Sequence, residues 1–175
     1  MTLALRLATE ADLPALRVMM ARAIAELQRD VLTPAEVEAS KAMMGLDTQL
    51  IADGGYFLAE IDGLLAGSGG WSRRATLYGG DHSAGRDARL LDPATDPARV
   101  RAMYTHPDFA RRGVGRAILA RCEAAAREAG FARVELMATL SGIPLYTAAG
   151  FAPIEHILDA NGGTPVPLVR MCKAL

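Results

Sequence analysis

Three arginines, Arg111, Arg112 and Arg116, surround the turn Gly113-Val114-Gly115, where a strand pattern gives way to a helix pattern. That arrangement suits an oxyanion. The first N–H groups of a helix have no partner within the helix and converge on one point; the helix dipole adds partial positive charge there, and glycine lets an anion approach the backbone. Arginine adds a fork of donors matched to phosphate oxygens. Two other phosphate loops are excluded by spacing. Ile118 stands where the dinucleotide fingerprint needs its third glycine, and no Gly-Lys-Ser/Thr ending follows, as a nucleoside triphosphate would require.

The elements that must hold this turn are readable from period and punctuation. Leu3, Leu5 and Leu7 alternate as a first strand. Thr9 can cap a helix from near Ala11, with Asp12 in its first turn and Leu13, Leu16, Met20, Ile24 and Leu27 on one face. Thr33-Pro34-Ala35-Glu36 is a capping box that predicts a second helix running toward Met44. Tyr56–Ile61 and Leu64–Ser72, joined by Asp62-Gly63, predict a hairpin. Residues 73–97, rich in glycine, proline and charge, predict a long functional or mobile loop. Then come a strand over Val100–Thr105, a helix over Gly113–Ala129, a strand over Arg133–Ala138 and a short helix over Ile143–Ala149. Two closing strands cover about Ala152–Leu158 and Val166–Lys173. This order predicts an α/β (α+β) fold: a central mixed, mostly antiparallel sheet of about seven strands flanked by helices, built as one domain over residues 1–175.

Composition narrows the class. The 175 residues carry 19 Lys+Arg against 20 Asp+Glu, a net charge of −1, which excludes a nucleic-acid surface that works by bulk positive charge. Only Lys41 and Lys173 of the basic residues are lysines, so the cationic chemistry belongs almost wholly to arginine. At 51% hydrophobic and 22% charged the chain is globular in type. The start has no basic region leading into an apolar one, and no apolar run approaches the roughly 20 residues of a membrane helix. Cys122 and Cys172 lie far apart with no CxxC or nearby His pair, which predicts no metal site and no disulfide framework, and fits a cytoplasmic location.

The text from Met103 to Gly115 resembles the GNAT superfamily of acetyl-CoA-dependent N-acetyltransferases. That family carries a strand ending in hydrophobic-x-Val-His-Pro, followed by Arg/Gln-x-x-Gly-x-Gly/Ala. Here the matching residues are Met103-Tyr104-Thr105-His106-Pro107 and Ala110-Arg111-Arg112-Gly113-Val114-Gly115. Thr105 replaces the usual valine, and Ala110 stands in place of Arg or Gln. Leu145-Tyr146-Thr147-Ala148-Ala149-Gly150-Phe151 is similar to the family's Tyr-x-x-x-Gly-Phe ending, with Thr139 where an Asn is frequent. The likeness is specific over Val100–Phe151 and looser before Trp71.

The resemblance implies a fold, an activity and a set of residues. Acetyl-CoA is the implied acyl donor and substrate. It would be held by Arg111, Arg112, Gly113, Val114, Gly115 and Arg116 at the pyrophosphate and by the main chain of Met103 and Thr105 along the pantetheine arm, with no metal. Tyr146 is the implied acid for the leaving thiolate: a phenol of pKa about 10 is protonated at neutral pH and can serve a thiol of about 8.5. Trp71, Arg73, Tyr78 and His82 lie near the implied acceptor site. The family's usual basic glutamate has no counterpart in Val100–Thr105, which leaves Glu60, Asp81, His82 and His106 as candidates for that role. The implied partners are acetyl-CoA and a primary amine of a small molecule or peptide, with no nucleic acid or membrane; homodimers are common in the family. A non-catalytic acyl-CoA-binding or regulatory domain of the same fold is the alternative.

Overall fold

In the computed structural model, which describes residues 1–175, seven strands form one sheet. The strands are β1 (Leu3–Leu7), β2 (Tyr56–Ile61), β3 (Leu64–Ser72), β4 (Ala98–Thr105), β5 (Arg133–Thr139), β6 (Ala152–Asp159) and β7 (Val166–Ala174). Their spatial order is β1-β2-β3-β4-β5-β7-β6. Every neighbouring pair is antiparallel except β4 and β5, the pair joined through a helix crossover. The hairpin between β2 and β3 turns on Asp62 and Gly63, both at positive φ (50° and 81°), as a primed turn requires.

The helices divide between the two faces. On one lie α1 (Leu13–Leu27), α2 (Pro34–Ser40) and α3 (Thr48–Ala52); on the other lie α4 (Val114–Glu128) and α5 (Ile143–Ala148). Leu16, Met19 and Met20 of α1 pack on Tyr56, Leu58 and Tyr104 of the sheet. Val114, Ile118, Leu119 and Cys122 of α4 pack on the opposite face with Val100, Val134 and Leu136. β3 admits α4 closely because it carries glycine there: a Cβ at Gly67 would lie 2.5 Å from Val114 Cγ1, and one at Gly69 would lie 2.7 Å from Ile118 Cγ2.

Three local expectations need correction, and two features are added. The helix expected from near Ala11 is preceded by a 3-10 turn at Glu10–Asp12 and begins at Leu13, with the Asp12 carboxylate accepting the Thr9 N–H at 2.8 Å. The second helix stops at Ser40 rather than running toward Met44. A third helix, α3, follows it, capped by Asp47 through Gln49 N. β4 starts two residues before Val100, because Ala98 and Arg99 pair with Val134 and Glu135. The segment 73–97 also folds back on itself. Arg74 bridges to Leu90, Ala75 N donates to Arg89 O at 2.9 Å, and Thr76 N donates to Asp87 O at 2.8 Å.

Candidate active site

β4 and β5 pair only at Ala98–Val134 and Arg99–Glu135 and then separate. The opening has a cause within β4. Its register against β3 slips between Ser68 and Gly70, leaving an extra residue on the β4 side, and Ala102 adopts a positive φ of 52°. Such a bulge bends the strand and re-aims its backbone. Beyond it, His106 donates its N–H to Ala66 O at 2.9 Å and Tyr104 lies opposite Ser68. Strand alternation therefore turns the N–H and C=O of Thr105 away from β3, to the side where β5 has departed.

A cavity of about 80 Å³ occupies this opening; Met43, Tyr78, Arg101, Met103, Tyr104 and Tyr146 are among its lining residues. Tyr146 is buried, and burial raises its hydroxyl well above the usual phenol range; no hydrogen bond contributes to that shift. Its ring is held edge-on against Phe151, 6.0 Å between centroids. Tyr104 differs: its hydroxyl accepts the Gly45 N–H at 2.7 Å, and burial pushes it up to about 12. Tyr78 donates to Asp159 Oδ2 at 2.7 Å and is likewise raised to about 12, chiefly by burial. Tyr146 is thus the phenol of this cavity left without a partner in the chain.

At the end of β4 the chain passes through a 3-10 turn (Pro107–Phe109) and enters α4 at Gly113, whose φ of 82° is left-handed. Glycine reaches that conformation without strain. No side chain caps α4 and no acidic residue occupies its first turn, so the N–H groups of Val114, Gly115 and Arg116 are open to an external acceptor. Arg111 also has a positive φ, 66°, and with Arg112 and Arg116 it stands exposed around the turn. Arg112 lies over the Phe109 ring at 5.4 Å. Gly115 faces Leu145 of α5: a Cβ there would come within 2.9 Å of Leu145 Cδ2, so the α4 start and the segment bearing Tyr146 sit against each other.

A buried ion cluster fixes the far wall. Asp47 is 1% exposed; its Oδ2 lies 2.6 Å from Arg101 Nη1 and its Oδ1 accepts from Arg86 Nη2 at 2.9 Å. Arg101 also donates to Gly79 O, and Arg86 to Gly80 O at 3.0 Å. The cluster ties β4, the start of α3 and the long loop together. It contains one carboxylate and two guanidiniums, so the wall carries net positive charge. Burial lowers the pKa of Arg101, with Asp47 opposing. Arg99 and Arg101, flanking Val100 in a strand, are the sequence signal that β4 needs buried carboxylates, met by Glu135 and Asp47.

The other predicted residues separate into two groups. Met103, Tyr78 and Tyr146 line the cavity. Trp71 instead packs edge-on against Phe131 at 6.3 Å, and Arg73 lies over the Trp71 ring at 5.5 Å, so this pair lines neither the cavity nor the recess beside it. That recess, about 560 Å³, opens between α1 and the loop and holds His82 and Asp81; Gly45 lines both it and the cavity. Of the candidate bases, Glu60 is bound to Arg6 at 2.9 Å. His106 accepts Asp108 N at 3.2 Å through Nδ1 and packs on Phe109, which makes it part of the turn. Asp81 accepts from Thr48 N at 3.0 Å and Thr48 Oγ1 at 2.9 Å, so its carboxylate is occupied by the start of α3.

Solved structures share this architecture along the whole chain. A GCN5-related N-acetyltransferase from Rhodopseudomonas palustris is similar at 19% identity with a TM-score of 0.74, covering 100% of this chain and 97% of that one. PaiA N-acetyltransferase from Thermoplasma acidophilum, solved in complex with coenzyme A, is similar at 14% identity with a TM-score of 0.68, covering 100% of both chains. A Salmonella typhimurium protein solved with its cofactor acetyl-CoA is similar at 20% identity with a TM-score of 0.64, covering 99% of this chain and 94% of that one. No curated protein matches the sequence. At these identities the likeness defines a GNAT acyl-CoA N-acyltransferase fold. Residues 21–151 match the acetyltransferase (GNAT) family, and the chain belongs to it. No group of side chains suited to a metal ion is present, and no helix is long and apolar enough to cross a membrane.

Proposed function

We propose that the protein is an N-acetyltransferase that moves acetyl from acetyl-CoA to a primary amine of a small molecule or peptide, by direct attack in a ternary complex. The observation that carries this reading is Tyr146, a buried phenol without a partner in the chain, lining the opening between β4 and β5 beside an uncapped helix start. Its ring is buried while its hydroxyl, bonded to no group of the chain, is free to donate to a ligand in the cavity.

The residues present fit coenzyme A. The free N–H groups of Val114, Gly115 and Arg116 form an anion site without a competing carboxylate, and Arg111, Arg112 and Arg116 would face the pyrophosphate. The Thr105 main chain, with Met103 on the cavity wall, would hold the pantetheine arm along β4. When bound, acetyl-CoA supplies the activated acyl group. Backbone N–H groups on the open side of β4 would stabilise negative charge developing on the acyl oxygen. Tyr146, protonated throughout the physiological range because burial raises its pKa, would hand its proton to the leaving sulfur. One sheet takes strands from both ends of residues 1–175, which supports treating them as a single domain. Two free cysteines, one of them buried, accord with a reducing cytoplasm.

Titration with acetyl-CoA tests the binding half. Ligand at 100 times Kd adds about 2.7 kcal/mol, which for a chain of this size raises Tm by roughly 5–11 °C. No shift would refute the coenzyme assignment. Thiol release over a panel of primary amines tests turnover, and a shift without release would leave a binding domain in place of an enzyme.

A further inference from the structure

The Tyr146 cavity contains an acid and no base: its titratable side chains are three tyrosines and Arg101. An alkylammonium must nevertheless lose a proton before its nitrogen can attack, since such amines titrate near the lysine value of about 10.4. The recess beside the cavity holds a group able to take that proton. His82 Nε2 lies 2.7 Å from Lys41 O. A carbonyl oxygen only accepts, so Nε2 carries the hydrogen, and Nδ1 is the ring nitrogen left to take a proton. The ring is placed by the loop that bears it. Asp81 N donates to Leu46 O at 2.9 Å, Asp81 binds Thr48, and Ser83 Oγ donates to Ala42 O at 2.7 Å. Gly45 gives the ring its room: a Cβ there would lie 2.9 Å from His82 Cε1. Tyr104, through its hydroxyl, holds that glycine in turn. Gly45 is common to cavity and recess, and His82 packs against it from the recess side.

We infer that the recess seats the acceptor and that His82 is the general base of acetyl transfer, an inference resting on the acetyltransfer reading above. The recess fits a primary amine with an apolar body. Met20, Ala21, Ile24 and Ala25 of α1 form one wall, and Asp81 lies in the opposite loop with the imidazole. The charged groups around His82 are Arg17 from α1, Lys41 at the end of α2 (paired with Glu38 at 2.5 Å) and Asp81 from its own loop. The steps balance. The ammonium gives one proton to His82 Nδ1, which passes it to solvent. The nitrogen–carbon bond forms, the carbon–sulfur bond breaks, and Tyr146 protonates the sulfur. The nitrogen's second proton leaves to solvent, and Tyr146 is reprotonated from solvent. The sum is an amide, a thiol and one released proton.

The test compares wild type, His82→Gln and Ala21→Trp in a thiol-release assay with phenethylamine, a basic alkylamine, and 4-ethylaniline, an arylamine already neutral at pH 7. His82→Gln should lower kcat for the alkylamine about 10²-fold or more, with KM for acetyl-CoA unchanged and the arylamine affected less than threefold. A merely structural role would lower both amines alike and overturn the assignment, as would unchanged alkylamine turnover. Ala21 is exposed on the recess wall; Ala21→Trp should raise KM for the amine about tenfold and leave acetyl-CoA binding intact, and an unchanged KM would move the acceptor elsewhere. Nitrogen NMR of His82 should show the hydrogen on Nε2; a hydrogen on Nδ1 would refute the proposal without any acceptor. If wild type releases no thiol with any amine while still binding acetyl-CoA, the acetyltransfer reading fails first and His82 loses its role with it.

Discussion

Removing the Asp47 carboxylate should be among the most damaging single changes on the wall of the site. Its two oxygens lie 2.6 Å from Arg101 and 2.9 Å from Arg86, and Oδ1 also caps α3 by accepting Gln49 N at 3.1 Å. Arg101 is 5% exposed, so in Asp47→Ala its guanidinium is left in the interior with only the Gly79 carbonyl as an acceptor. Breaking one partner out of a buried pair costs about 3–5 kcal/mol, and loss of a helix cap adds about 1 kcal/mol. Against a typical stability of about 5–15 kcal/mol that is a large fraction, and it should lower Tm by roughly 8–24 °C. Urea denaturation with intact m-value reads the change directly. The double variant Asp47→Leu/Arg101→Met should recover much of the loss, since an apolar pair needs no charge balance. A loss below about 1 kcal/mol in Asp47→Ala would refute the view that this carboxylate compensates a buried charge.

Gly113→Asp should abolish acetyl-CoA binding with little damage to the fold, because a Cβ at Gly113 meets nothing within 4 Å. The positive φ costs about 1 kcal/mol, and Gly113→Ala pays the same strain without the charge, so calorimetric titration of both variants separates repulsion from distortion. The Arg6 guanidinium holds the Asp12 carboxyl down to about 2. A depressed carboxyl contributes stability above its unfolded value near 3.8 that is lost as pH falls toward 2. The urea midpoint of Asp12→Asn should therefore trail wild type at pH 6 and converge with it by about pH 2; a constant gap would exclude that titration as the cause.

The sequence was most legible where backbone geometry has a residue signature. Asp62-Gly63 announced two positive φ values, Thr33–Glu36 announced a capping box that forms with Glu36 N donating to Thr33 Oγ1 at 3.2 Å, and Gly113 marked the left-handed entry to α4. The feature that opens the site had no such mark. Ala102 gives no sign of a positive φ, since alanine disfavours that region, so the bulge that parts β4 from β5 follows from tertiary context. α3 spans five residues, fewer than helical periodicity needs to show itself. The loop at 73–97 reads as functional or mobile by composition, yet Arg86 and Asp81 latch it to Asp47 and Thr48 at the start of α3, and Ser83 latches it to the turn between α2 and α3. Trp71 was drawn toward the acceptor by its position at the end of a hairpin; its side chain lies on the α4 face, where Phe131 claims it.

The central claim is that Tyr146 supplies the proton to the departing sulfur, and Tyr146→Phe under saturating acetyl-CoA tests it most directly. The hydroxyl has no partner in the chain, so its removal should leave Tm within about 2 °C of wild type. Loss of a general acid should lower kcat for thiol release about 10²–10⁴-fold. A variant that keeps both its Tm and its wild-type kcat would contradict the role given to Tyr146.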